Sequence, residues 1–475
     1  MPAFPQPFTS TVSHWQATNR GPTSLWNHGR DAPLPTKADI VIVGAGVTGS
    51  SLAYHLTRPG DVGEGKRIIV LEAKDVASGA SGRNGGHVGP RAWDGFGSLT
   101  RSRAEGGAGL TNDDALDIMY FEADNLDYVE SLVKKEKLNV DFWRGNRCDV
   151  LTTEASVQAN LANIETYKKT AAASTKHNGR QTEWELISDP REARKVSRIK
   201  SALAINRGPS GSWHPHRGTT ALLRLAIESK TSTCEFFSWT PVNSVTPSPS
   251  GWSVDCGGRG TIVAGQVVLA TNAWTSHLFP NVPDLANHVI PYRGQAALIT
   301  PPTTYAGTGA LEATMGIERG PYLIQTPHSG LVIGPYNATV LSEFGTPKDL
   351  FYIEDDSVVT PKFHDWLSTY CKDNFEGWGK EVKGEGNNHD WSGIMAHSID
   401  WVPLVGPVPD MPGLWVSAGY NGHGMAKIIT ITRSIAQHMK TGKWDPRMPQ
   451  CFAITKERLR AAKQCKPVIP LQSRL

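Results

Sequence analysis

The stretch Ala38-Asp39-Ile40-Val41-Ile42-Val43-Gly44-Ala45-Gly46-Val47-Thr48-Gly49 constrains this chain more than any other. An apolar run ends in G-x-G-x-x-G, and Ser50-Ser51-Leu52-Ala53-Tyr54-His55-Leu56 continues as a helix. Such a strand–turn–helix offers backbone N–H groups and a helix N-terminus to a pyrophosphate. Gly44 permits the tight turn, Gly46 lets a diphosphate approach the backbone, and Gly49 lets helix and strand pack closely. A second apolar strand, 67–71, ends at Glu72, near the place about 20 residues on where a ribose-binding acid is expected. The insert 58–66 accounts for the small excess. Isolated glycines of this kind also occur in ordinary structural turns; the flanking strands and helix make a dinucleotide site the expectation.

A chain of 475 residues has room for two or three domains. With 39% hydrophobic and 20% charged residues it has the composition of a globular protein, and a net charge of +3 points to neither nucleic acid nor an anionic membrane. No apolar run approaches the roughly 18 residues of a membrane span. Six dispersed cysteines without a C-x-x-C pair suit a reducing interior better than a disulfide scaffold or zinc site. No basic-then-apolar leader marks the N-terminus. The terminal Ser473-Arg474-Leu475 is a close variant of the Ser-Lys-Leu address, so a peroxisomal import receptor is an expected partner, with the cytoplasm as the alternative location.

Residues 1–37 show no periodicity and read as an arm draped over the body, with Trp15 and Trp26 as anchors. Beyond Glu72, Gly79-Ala80-Ser81-Gly82-Arg83-Asn84-Gly85-Gly86-His87 is a close-fitting backbone loop rather than a strand or helix. Spacings of three and four predict a helix over 112–137, and further helices over 156–173 and 219–229. The strand 266–270 runs into Thr271-Asn272-Ala273-Trp274, a return to the nucleotide unit at a strand's carboxyl end, where ligands gather in open α/β sheets. Residues 290–374 read as a separate sheet-rich region. The last unit repeats the first in design: an apolar strand over 413–418, the glycine turn Gly419-Tyr420-Asn421-Gly422-His423-Gly424, and a helix from Met425.

With these motifs in place the chain resembles the FAD-dependent amine and amino-acid oxidase family, which includes D-amino-acid oxidase, sarcosine oxidase and γ-glutamylputrescine oxidase. The segments 44–72, 79–87, 267–274 and 391–425 carry the resemblance, and the glycine loop is nearest the γ-glutamylputrescine oxidase branch. The resemblance implies an α/β fold: a Rossmann-like FAD-binding domain interleaved with a mixed-sheet α+β substrate domain. FAD-binding parts are expected at 38–115, 201–285 and 386–445. A helical substrate region at 116–200, a substrate sheet at 286–385 and a tail at 446–475 complete the division.

The implied chemistry is oxidation of an amine or amino-acid-like C–N bond to an imine, hydrolysed by water, with O₂ reduced to H₂O₂. A dehydrogenase using another acceptor, a nicotinamide enzyme and a non-catalytic flavoprotein are the competing readings. Gly44, Gly46, Val47, Thr48 and Gly49 would hold the pyrophosphate, with Glu72 and Ala73 at the ribose. Ser81, Arg83, Asn84, Gly85, Gly86 and His87 would line pyrophosphate and isoalloxazine, joined by Thr271, Asn272, Ala273 and Trp274. Gly419, Asn421, Gly422, His423, Gly424 and Met425 would sit at the flavin's pyrimidine end. His423, Tyr322, Arg293 and Trp391 are the candidates for the substrate side. Pro321 and Asn84 stand where covalently flavinylated branches carry cysteine and histidine, so FAD is expected to be non-covalent. Ala426 stands where some relatives bind a substrate carboxylate through lysine, with Lys427 one position later, which argues against a simple α-amino acid.

Overall fold

The strands Thr233–Phe237, Arg67–Leu71, Lys37–Val43, Thr261–Leu269 and Leu414–Ala418 lie side by side in that order, every neighbouring pair parallel. This is the core of a computed structural model that describes residues 8–279, 282–335 and 350–462. The strands read as unbroken apolar runs because both faces of the sheet are covered. Ile40, Ile42, Ile68 and Val70 point into one hydrophobic core, and Val41, Val43, Ile69 and Leu71 into another. The helices Val47–Leu56, Pro215–Ile227 and Ile428–Thr441 contribute buried residues to the first of these cores. Leu404–Pro407 closes one edge antiparallel, and Ser244–Ser248 and Gly251–Asp255 add a hairpin.

A second sheet runs in the order Gly386–Ser398, Val289–Thr300, Leu331–Pro335, Pro321–Gln325, Ala313–Ile317, Trp143–Leu151, Ala204–Ser212, Glu185–Ile187. Its pairs are antiparallel except for Ala313–Ile317 with Trp143–Leu151. Leu323, Leu331 and Ile333 pack with Leu367 and Tyr370 of the helix Pro361–Asn374 to give it a core of its own. The molecule is therefore α/β with two mixed sheets. No helix among the described residues is long and apolar enough to cross a membrane.

Several expected boundaries move. Ala204–Ser212 and Gly386–Ser398, assigned above to FAD-binding parts, belong to the second sheet, where they pair with Trp143–Leu151 and Val289–Thr300. Alternation within one strand does not say which sheet it joins. The tail beginning at 446 is partly structured: Ile454 donates to Val405, and Arg458 of the helix Lys456–Ala462 pairs with Asp400 at 2.7 Å. The N-terminal arm contains a short helix, His14–Ala17, capped by Ser13, and Trp15 is buried. Trp26 stacks on His216. Ser473-Arg474-Leu475 lies outside the described residues.

Candidate active site

The carboxyl ends of the parallel strands open on a cavity of about 460 Å³ that continues to the second sheet, within the ~300–1,000 Å³ typical of small-molecule sites. At its nucleotide end Gly44 has φ +105°, and a Cβ there would stand 2.6 Å from the Ala270 carbonyl oxygen. A Cβ on Gly49 would lie 1.9 Å from the Gly44 carbonyl, so the helix Val47–Leu56 packs against the turn only with glycine. Its N-cap, Gly46, has no side chain to satisfy the first amides. Ser81 Oγ takes one of them, accepting from Val47 N–H at 2.8 Å. The remaining helix N-terminus is suited to an anion.

Glu72 follows the second strand and accepts from the amides of Ala45 (2.9 Å) and Lys74 (3.0 Å). Burial pushes its carboxyl up, against the pull of these donors. It lines the cavity beside Ala73, where its oxygens can accept from ribose hydroxyls.

The glycine loop is held by its own side chains. Asn84 Nδ2 donates to the carbonyls of Ala80 and Ser81, and its Oδ1 accepts from Gly86 N–H at 2.7 Å. Arg83 Nε donates to the Ser78 carbonyl (2.7 Å) and Nη1 to the Ser392 carbonyl (2.8 Å), with Asp356 at 3.5 Å. The guanidinium thus ties the loop to the second sheet, and Arg83 borders the cavity. Trp391, expected on the substrate side, is instead fully buried: its indole donates to the Arg83 carbonyl at 2.7 Å and packs with Trp15, Ala296 and Val332. It braces the loop from behind and does not line the cavity.

The remaining expected residues divide in the same way. Val47, Thr48, Gly85, His87, Thr271, Asn272, Trp274, Arg293, Tyr322, Asn421, Gly422, His423, Gly424 and Met425 line the cavity. Gly49, Gly86, Ala273 and Gly419 do not. Ala273 is buried in the core, and Gly86 (φ +87°) passes so close to Trp213 and Trp15 that a Cβ would meet the Trp213 carbonyl at 2.8 Å. Gly419 N–H donates to Asn272 Oδ1 at 3.1 Å, joining two of the turns around the cavity.

Residues that the sequence did not single out complete the far end: Tyr292, Gln295, Met395 and Arg147. Arg147 is held by Asp149 at 2.7 Å. Behind the cavity, Glu122 of the helix Asn112–Lys135 is fully buried and pairs with Arg91, with Lys427 (2.9 Å) and with His423 (3.2 Å). Burial would raise Glu122, but Arg91 and Lys427 overcome it and hold the carboxyl well below the usual range. Burial takes His423 down to about 3 and His87 well below its ordinary value. Burial likewise pushes the Tyr292 and Tyr322 phenols up. Lys427 is lowered to about 8 by burial, in spite of Glu122. Its ammonium is spent on Glu122 and the His423 carbonyl (3.0 Å), and Ala426, not Lys427, lines the cavity.

The glycine cradle, the helix N-terminus with amides left over beyond the one Ser81 takes, and the Glu72 carboxylate bonded to the Ala45 amide of the same turn are the donor and acceptor set an FAD requires. The residues present fit that cofactor.

Known proteins agree with this geometry. A family model described as FAD dependent oxidoreductase matches residues 39–437. Mouse mitochondrial dimethylglycine dehydrogenase is 24% identical over 82% of this chain, which spans 41% of that protein. Glycine oxidase of Geobacillus kaustophilus is 22% identical, covering 82% of this chain and 89% of its own. Gamma-glutamylputrescine oxidoreductase of Escherichia coli is 23% identical, with 85% and 83% covered. The crystal structure of the Geobacillus glycine oxidase superposes with a TM-score of 0.66 at 20% identity, covering 89% of this chain and 99% of that one. L-proline dehydrogenase from P. horikoshii gives the same TM-score and identity over 88% and 97%.

Proposed function

The chain belongs to the DAO family of FAD-dependent oxidoreductases, and from that premise we propose that it oxidises the C–N bond of an amine or amino-acid-like substrate to an imine and passes the electrons to O₂. One observation carries the reading. Among the described residues lining the cavity, Glu72 at the nucleotide end is the only acid. The far end presents neutral His87 and His423, un-ionised Tyr292 and Tyr322, Met395, and the cations Arg147 and Arg293. An ammonium finds no counter-ion there, so an amine is favoured in its neutral form, the one that can lose a hydride equivalent.

FAD, when bound, supplies the acceptance of that hydride equivalent. The chain's own residues bind and orient. Gly44, Gly46 and Ser81 with the first helix N-terminus would hold the pyrophosphate, and Glu72 the ribose. The turn Asn421–Met425, which leads into the helix Ile428–Thr441, closes the opposite end, and Tyr322, packed against Gly85 and His87, walls off the substrate side. The substrate loses one hydride equivalent and one proton; water then splits the imine into carbonyl and amine, and O₂ gains two electrons and two protons as H₂O₂.

Lys427 is committed to Glu122, so it is not available to a substrate carboxylate, which would be met by Arg147 or Arg293 instead, and the amine class is open to direct comparison. Anaerobic mixing of the yellow protein with N-methyl amino acids, polyamines, γ-glutamyl amines and D-amino acids tests this directly. Bleaching of the flavin band by at least one class is expected, followed by reoxidation in air with one H₂O₂ per turnover. A flavin that no amine bleaches would sink the proposal, and bleaching followed by reoxidation only with a dye would replace O₂ by another acceptor. We propose peroxisomal import through Ser473-Arg474-Leu475; a fluorescently tagged chain that stays diffuse with the tripeptide intact would refute it.

A further inference from the structure

Three side chains converge on one buried carboxylate behind the cavity. Glu122 Oε1 receives Lys427 Nζ at 2.9 Å and pairs with Arg91, while Oε2 faces His423 Nε2 at 3.2 Å and accepts the Arg91 backbone N–H at 3.0 Å. One turn further along the same helix, Asn125 Nδ2 donates to the Met425 carbonyl (3.2 Å) and its Oδ1 accepts from Thr430 N–H (3.1 Å). The long helix therefore grips the glycine turn and the start of the helix Ile428–Thr441 at two successive points. His423 lies between this grip and the cavity, which it lines.

The donor and acceptor inventory then determines the imidazole. A carboxylate flanked by two cations is ionised and can only accept. His423 must donate to it from Nε2, which leaves Nδ1 as the ring nitrogen carrying a lone pair. The titratable groups around His423 are Glu122, Arg91, Lys427 and His87. Because Arg91 and Lys427 already balance Glu122, the carboxylate does not draw a second proton onto the ring, in keeping with the low pKa of His423.

We propose that Glu122 is a positioning residue that locks His423 as the neutral Nε2–H tautomer, so that Nδ1 offers the cavity a fixed acceptor for the N–H of a neutral amine. This rests on the reading of the site as a flavin-dependent amine oxidase. An imidazole free to exchange tautomers would spend part of its time presenting N–H to the amine instead of a lone pair.

The test is nitrogen NMR of the FAD-loaded protein labelled at histidine, with the His423 signals identified by their loss in His423→Asn. The expected result is a neutral ring protonated at Nε2 throughout pH 6–9. Glu122→Gln, whose amide can donate, should bring in the Nδ1–H tautomer and raise the amine KM about tenfold, the worth of roughly one hydrogen bond, with kcat changed less. An imidazolium or an Nδ1–H ring in the unaltered protein would overturn the proposal, whether or not the variant folds. So would Glu122→Gln with both tautomer and KM unchanged. The expected tautomer in a protein whose flavin no amine bleaches would uphold the positioning by Glu122 and overturn the amine as the partner of Nδ1, which separates the two claims.

Discussion

The indole of Trp15 donates to the Asn84 carbonyl at 2.7 Å, so a residue of the N-terminal arm supports the loop that faces the cofactor site. Trp391 does the same one residue earlier, at the Arg83 carbonyl. Between them Ser13 Oγ bonds the Gly82 carbonyl and Thr11 Oγ1 accepts from Arg83 Nη1. The arm braces the glycine loop from behind, while none of its described residues lines the cavity.

Trp15→Ala should therefore weaken FAD binding as well as the fold. Removing a buried Trp costs about 3–5 kcal/mol, a large share of a typical ~5–15 kcal/mol stability. The loop would lose its rear support, and FAD affinity should fall at least tenfold. Thermal unfolding and flavin fluorescence on titration of the apoprotein measure the two effects. An unchanged FAD affinity in a destabilised variant would show that the arm acts on the core alone.

Acid should loosen the same arm. His214 Nε2 bonds Thr18 Oγ1 (3.0 Å), His216 bonds Asn19 (2.8 Å) and stacks on Trp26, and His14 bonds Ser329 (3.1 Å). Burial is the main cause that lowers His14 and His216 to about 4 and His214 to about 2, aided by Arg217 at His14 and His214 and by Arg20 and Arg83 at His216. His389 adds to the lowering at His14, and Asp141 opposes it. Below the ordinary histidine pKa the unfolded chain takes up protons that the folded one refuses. Stability is thus fully present above about pH 6.5 and is lost as pH falls toward 4, at roughly 1 kcal/mol per histidine per pH unit. Glu72, raised by burial, works in the opposite sense and softens the slope. FAD release should rise over this window, and His216→Gln should flatten the curve. Retention that stays level from pH 6.5 to 4.5 would count against the mechanism.

What the sequence showed depended on how local each feature is. The span from Gly44 to Glu72 is legible because strand, turn, helix and acid follow one another along the chain, and the glycine spacing encodes contacts within it. His423 is legible for the same reason, between two glycines in the turn that leads into the helix Ile428–Thr441, which starts three residues later than the expected Met425. Trp391 is not: an aromatic on a strand can face a cavity or a core, and only the packing of Trp15 and Val332 decides. Glu122 and Arg91 come together from segments far from the glycine turn. Glu122 did leave a signal, an acid in phase with Met119 and Leu126 on the apolar stripe of its helix, where an unpaired charge would be too costly to bury. Sheet membership of Ala204–Ser212 depends on its pairing with Trp143–Leu151, which no local pattern reports.

Gly49→Ala should abolish FAD binding, because its Cβ would fall 1.9 Å from the Gly44 carbonyl and push the helix off the turn. Overpacking of this kind costs about 1–3 kcal/mol or more and moves the amides that meet the pyrophosphate. Gly21→Ala, with nothing within 4 Å of the new Cβ, is the matched control. Purification of Gly49→Ala with a full complement of flavin would contradict the cradle.

Glu72→Ala should release FAD without unfolding the sheet, and the flavin should leave intact. The carboxylate holds the Ala45 and Lys74 amides and would accept from the ribose. Hydrogen bonds to a charged group are worth about 1.5–3 kcal/mol, which predicts a 10- to 100-fold loss of affinity. No cysteine lines the cavity among the described residues, and Asn84 spends its side chain on the Ala80, Ser81 and Gly86 backbone. Neither Asn84 nor Pro321 supplies a nucleophile toward the ring. Acid precipitation of the unaltered protein should accordingly leave all the yellow colour in the supernatant as FAD, and colour retained in the pellet would demonstrate a covalent link. For Glu72→Ala, equilibrium dialysis against FAD gives the affinity and far-ultraviolet dichroism the fold. Equal affinity in variant and parent would remove Glu72 from the cofactor site.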